Sequence, residues 1–149
     1  MNQNSSTLSS LRGIFKLYEQ IQKEVCAKYR LTQMEVNIIG FLHNNPGRDT
    51  AADIVELRML PKGHVSQGVE ALIQKGLLSR CIDERDRRRI HLSLTPQAVP
   101  IVEEIDRGSQ QFYGQLFFGF SEEERETYAL LGERIRDNAK IGLERKKLK

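Results

Sequence analysis

Tryptophan is absent from this chain, cysteine occurs only twice, and neither sign of charge dominates. No apolar run approaches the roughly 18 residues that a membrane-spanning helix needs, so no membrane partner is expected. Cys26 and Cys81 form neither a CxxC pair nor a Cys/His cluster, and two reduced thiols are the expectation. His43, His64 and His91 are scattered, with no pair four residues apart, so no metal site is expected. There is no P-loop, dinucleotide fingerprint, nucleophile elbow or zinc-protease motif; the expectation is a non-enzyme without a cofactor. The opening MNQNSSTLSS has no basic start and no apolar core, which argues against a secretory leader. The 23 basic and 20 acidic residues leave a net charge of +3, and such a balance matters for a polyanion only where the charge is clustered.

What is present is helical punctuation. Leu11, Ile14, Phe15, Tyr18, Ile21 and Val25 recur at spacings of three and four, which predicts an amphipathic helix over 8–29. Thr32 with Glu35 is a capping box opening a second helix, closed by Asn44-Asn45-Pro46-Gly47. Thr50 with Asp53 is a weaker box opening a short helix from Ala51 to about Arg58. Pro61 suits a first helical turn, and the helix it starts runs to Lys75, with Gly76 as a left-handed stop.

The period then changes to two. Residues 78–82 and 89–94 read as short strands, with Ile90, Leu92 and Leu94 on one face, joined by the charged tip 83–88. Thr95-Pro96 opens another helix, with a distorted start expected at Pro100 and an end at Gly119. Ser121 with Glu124 caps a last helix carrying Tyr128, Leu131, Ile135 and Ala139, and the basic end 145–149 is expected to fray. The fold class is therefore mainly α with a small β-hairpin (α+β).

Two short helices joined by a tight turn and followed by a hairpin form a winged helix-turn-helix, whose second helix enters the DNA major groove. That helix would present Lys62, Gly63, His64, Ser66 and Gln67. Gln67 can pair bidentately with adenine, while Lys62 and Ser66 suit phosphate oxygens. His64 can donate to a guanine edge or a phosphate, and Gly63 allows close approach. In the hairpin, five arginines (Arg80, Arg85, Arg87, Arg88, Arg89) crowd into ten residues with Asp83, Glu84 and Asp86 among them, leaving a local charge near +2. An acid bonded to an arginine in such a turn can aim the guanidinium at a narrow minor groove.

Residues 31–95 resemble the multiple-antibiotic-resistance-regulator (MarR) family of bacterial transcription factors. The pieces that carry the likeness are Leu31-Thr32-Gln33-Met34-Glu35, Thr50-Ala51-Ala52-Asp53-Ile54, Val65-Ser66, the run LIQKGLL from Leu72 to Leu78, Asp86-Arg87-Arg88 and Leu92-Ser93-Leu94-Thr95-Pro96. The resemblance implies a homodimer in which helices 8–29 and 101–143 interlock as one dimerisation domain beside the DNA-binding lobe, 31–95. It implies a cytoplasmic regulator, bacterial or archaeal, most often a repressor, on palindromic double-stranded DNA. The family's Asp-x-Arg wing motif falls on Asp86 and Arg88, with Arg85 and Arg87 beside it; the acid orients and Arg88 enters the minor groove. The family pattern has glycine near Ala98 and commonly Ser-Thr at Gly63-His64, and Gly68 is unusual inside a recognition helix.

Members of the family often answer to small aromatic effectors bound between the dimerisation helices and the DNA-binding lobe. On this chain the resemblance points to Tyr18, Ile21, Val25, Tyr29, Phe41 and Phe112 as a candidate lining. Two alternatives stand beside the DNA reading: a winged-helix module used for protein docking, and a redox-responsive regulator acting through Cys81.

Overall fold

The computed structural model describes residues 2–147. They fall into two compact units, Met1–Phe112 and Tyr113–Lys149.

The first unit opens on a cap. The side-chain oxygen of Asn2 accepts from the Ser5 amide at 2.8 Å, and helix α1 (Gln3–Tyr29) follows. It begins before the expected residue 8, because a capped polar turn leaves no trace in an apolar period. Both sequence-read boxes form. Thr32 and Glu35 exchange bonds of 3.1 and 2.9 Å at the start of α2 (Gln33–Asn44), and Thr50 and Asp53 do the same for α3 (Ala51–Arg58). Each box satisfies two amides that would otherwise lack a helical partner.

Helix α4 (Lys62–Gln74) starts one residue later than expected. Pro61 is its extended N-cap, at ψ 132, rather than its first turn. Gly76 takes φ +75, and the Leu77 amide bonds back to the Leu72 carbonyl at 3.0 Å, the expected left-handed stop.

Strands β1 (Leu78–Ile82) and β2 (Ile90–Leu94) pair antiparallel, Leu78 opposite Leu94 and Ile82 opposite Ile90. Leu92 is buried and Leu94 half-buried as expected, but Ile90 is exposed, since the hairpin has by then left the helices. The Leu92 amide bonds to the Asp49 carbonyl at 2.7 Å, so the α2–α3 connection lies against β2.

The distortion expected at Pro100 falls instead on a 3₁₀ turn, Pro96–Ala98, and α5 (Val99–Leu116) follows. Pro100 sits in the first turn of α5, where its missing N–H costs no bond. Helix α5 buries Ile101 and Ile105, and the core runs from Val25 through Val36, Ile38, Ile39, Phe41 and Ile54 to Val65, Leu72 and Leu92. Within it, Glu35 is 2% exposed and takes Lys75 Nζ on both oxygens at 3.0 and 2.7 Å. Lys75 Nζ also donates to the Arg30 carbonyl at 3.0 Å, which ties the ends of α1 and α4 to the start of α2.

In the second unit, Gly119 has φ +81, and Ser121 and Glu124 form the third box, with bonds of 2.9 and 3.1 Å. Helix α6 (Glu122–Lys147) follows. It extends through Lys147, so residues 145–147 are helical rather than frayed; Leu148 and Lys149 lie outside the described residues. Phe117 packs edge-on to both Phe120 and Tyr128, at 5.6 and 5.2 Å between ring centres.

Candidate nucleic-acid interface

Helix α4 separates its faces sharply. Val65, Gly68, Val69 and Leu72 are buried, while Lys62, Gly63, His64, Ser66 and Gln67 are all exposed. The five residues singled out for a groove therefore share the first two turns of one solvent-facing surface. With no capping side chain at Pro61, the first amides of α4 also stay open to an external acceptor such as a phosphate. A β-carbon on Gly63 would meet nothing within 4 Å, so packing within the chain does not require this glycine.

Gly68 has a packing reason. Its place against α2 would put a β-carbon 2.6 Å from Ile38 Cδ1. The glycine lets α4 press on α2.

The wing is built by its acids. Asp83 Oδ1 accepts from the Arg85 and Asp86 amides at 2.7 and 3.0 Å, and Asp86 Oδ1 accepts from the Arg88 amide at 3.0 Å. These are Asx turns, the local bonding that aspartate favours in loops. The expected contact between Asp86 and an arginine thus exists, but it grips the Arg88 backbone amide rather than a guanidinium. Arg80 pairs with Glu70 of α4. Among the described residues, Arg85, Arg87, Arg88 and Arg89 make no salt bridge, and all four are exposed, as is Asp86.

A cleft of about 320 Å³ lies beside the wing, lined by the start of α3, by Ser66 and Glu70 of α4, and by Arg80, Arg88 and Arg89. None of the six aromatic-effector candidates lines it. Tyr18 and Phe112 do meet, edge to face at 5.4 Å, and the Tyr18 hydroxyl donates to Asn37 Oδ1 at 3.4 Å. Val25 and Phe41 are core residues, and Ile21 and Tyr29 are half-buried. The Cys26 thiol is pushed up in pKa, first by burial, which disfavours the thiolate; Cys81 is exposed on β1.

Sequence reasoning missed His91. Its ring bridges Asp49 at 2.8 Å and Asp83 at 2.7 Å. The available signal was weak: an outward-facing histidine on the second strand, with an acid where the first strand ends. Asp49 is 42 positions away, a partner that only the folded chain supplies.

No helix among the described residues is long and apolar enough to cross a membrane. Among them, no group of three or more His, Cys, Asp or Glu side chains could hold a metal ion.

A sequence model of the MarR family matches residues 31–89, from the loop before α2 to the last wing arginine. The HTH-type transcriptional regulator PecS of Dickeya dadantii (strain 3937) is 26% identical over 128 residues, 84% of this chain and 77% of PecS. Bordetella bronchiseptica BpsR, whose DNA binding is regulated by 6-hydroxynicotinic acid, superposes with a TM-score of 0.68 at 23% identity, over 88% of this chain and 98% of that one. S. aureus MepR, in its complex with DNA, gives 0.71 at 22% identity, over 87% and 96%. The solved structures share the fold, and the sequence matches fall on the helices and wing just described. Residues 31–89 thus match the MarR family in sequence, and the chain is similar to transcriptional regulators of that kind.

Proposed function

We propose that this protein is a sequence-specific DNA-binding repressor that occupies a palindromic operator as a homodimer and is released by a small aromatic effector. The observation that carries the DNA reading is the two-faced α4, with Lys62, Gly63, His64, Ser66 and Gln67 exposed over a buried Val65, Val69 and Leu72, beside a wing whose Arg85, Arg87, Arg88 and Arg89 are exposed and make no salt bridge among the described residues. The helix reads base edges in the major groove, and Arg88 reaches the adjacent minor groove. MepR, which shares the fold, was solved in complex with DNA, and that supports DNA as the partner.

The homodimer is supported by apolar surface left in water. Helix α1 exposes Leu8, Leu11 and Phe15 at helical spacing, and α6 exposes Leu131 and Ile135. Each helix taken by itself carries exposed apolar side chains, and apolar exposure of this kind marks an interaction surface. Two copies of one wing impose two-fold symmetry on the operator, with half-sites about 10 base pairs apart or a multiple of that. The effector reading rests on the contact between Tyr18 and Phe112 beside the Asn37 amide, and on the likeness to BpsR.

A gel shift with the intergenic DNA beside the gene, at two salt concentrations, tests the reading. Binding that weakens steeply with salt is expected, because phosphate contacts release counterions. No shift at either salt overturns it and favours protein docking. Higher transcription of the adjacent gene in a deletion strain is expected of a repressor; lower transcription identifies an activator.

A further inference from the structure

We propose that His91 is the positioning residue of the wing: as an imidazolium it bridges Asp49, on the α2–α3 connection, and Asp83, where the wing leaves β1, and so holds the wing arginines in the frame of the recognition helix. The proposal rests on the DNA-binding reading above.

The hydrogen bonding carries it. Nδ1 lies 2.8 Å from Asp49 Oδ1, and Nε2 lies 2.7 Å from Asp83 Oδ2. An ionised carboxylate only accepts, so both ring nitrogens must donate, and only the protonated ring has two N–H groups. Each end of the bridge is itself built in. The Asp49 carbonyl takes the Leu92 amide at 2.7 Å. The second oxygen of Asp83 takes the Arg85 and Asp86 amides, so one carboxylate joins the ring to the backbone that folds the arginine tip.

The groups around the ring are few. Cys81 stands opposite His91 on β1. Arg48, beside Asp49 in the chain, reaches toward Asp53 at 3.9 Å. Arg89, two residues before His91, makes no salt bridge among the described residues.

Asp49, then Asp83, raise the pKa of His91 above its ordinary value. The His91 bond, followed by the Arg85 and Asp86 amides, lowers Asp83 to about 2. The sign follows. A group raised by its folded partners contributes below its ordinary pKa and loses that contribution as pH rises through the raised one. Losing the proton leaves one N–H for two carboxylates, and one end of the bridge opens.

The experiment measures full-length protein on its intergenic inverted repeat by fluorescence anisotropy, from about pH 6 to about pH 9. Wild type is compared with His91→Gln and His91→Arg, and a His64→Gln control removes the titratable ring on α4. Wild-type affinity is expected to fall with rising pH, by up to about ten-fold per unit for each linked proton, and so by up to about a hundred-fold for a dimer that engages both wings. His91→Gln, neutral at every pH, is expected to bind several-fold more weakly at low pH and to be flat. His91→Arg keeps a permanent charge and a donor fork, and is expected to restore low-pH affinity and hold it throughout. In the absence of DNA, the amide resonances of Arg85 and Asp86 are expected to titrate with the His91 ring.

His91→Gln with wild-type affinity and pH profile overturns the proposal, as do amides that do not follow the ring. Failure of His91→Arg to restore binding in a folded protein overturns it too. Wild-type protein that binds no DNA at any pH overturns the DNA reading instead, and with it the purpose of the bridge.

Discussion

Gly68 of α4 and Ile38 of α2 are in such close contact that a β-carbon on the glycine would lie 2.6 Å from the isoleucine's Cδ1. Ile38 is fully buried and cannot swing into solvent. Helix propensity alone would make Gly68→Ala stabilising by about 1 kcal/mol. Overpacking of a closed core costs about 1–3 kcal/mol and wins here. Gly68→Ala is expected to lower the urea midpoint, and Ile38→Val, which removes the opposing methyl, to recover part of the loss. A stabilised single variant would refute the close-contact explanation.

Arg88→Ala is expected to weaken operator binding by about 1–3 kcal/mol and leave the fold intact, because its side chain is exposed and makes no salt bridge among the described residues. Gln67→Ala is expected to act differently. It should flatten the preference for one base pair while nonspecific affinity stays near wild type. A panel of single-base operator variants separates the two, and a uniform loss for Gln67→Ala would remove direct readout from that residue.

Much of this scaffold was legible because it is written locally. Thr32 and Glu35, Thr50 and Asp53, and Ser121 and Glu124 each lie three residues apart, and a box needs nothing else. Gly76 announces its own left-handed stop. Part of the exposed face of α4 was legible for the same reason, since helical period places Gln67 opposite Val65 and Val69; Lys62 is exposed because it opens the helix. What escaped depends on contacts between distant segments. Gly68 is intelligible only once α2 lies against α4. The role of His91 waits on Asp49, and the polar start of α1 is set by Asn2, which no apolar period reports. In sequence the wing's acids dilute its charge; in the fold Asp83 and Asp86 each commit one oxygen to backbone amides.

Burial pushes the Glu35 carboxyl up, but the Lys75 ammonium, with the Thr32 amide and hydroxyl, outweighs it and holds the group below the ordinary glutamate range. A depressed carboxylate stabilises above its unfolded pKa and loses that contribution as pH falls through the folded one. Stability is therefore expected to decline on acidification below about pH 4.5, with Glu35 among the causes. Glu35→Gln, measured by thermal unfolding across pH, is expected to be less stable near neutrality and to show a shallower acid limb. Parallel curves would mean that Glu35 is not the titrating group.

Ile135→Glu places a charge on the apolar surface of α6, where Ile135 is 69% exposed. If that surface is the contact between two copies, sedimentation should show a shift from dimer to monomer with helix content preserved. Operator affinity should fall sharply with it, since one wing domain then binds alone. A variant that remains dimeric would move the interface elsewhere.

The Asx turns at Asp83 and Asp86 divide labour within the wing: two aspartates hold the loop's path through main-chain amides, and the cations ride on a backbone they do not build. The side chains at 85, 87 and 88 can thus be exchanged without disturbing the mount that carries them. Randomising them with both aspartates retained should yield folded proteins with altered operator choice, whereas changing either aspartate should disarm every fitting at once. Target preference in this protein can drift, or be redirected, without refolding the part that presents it.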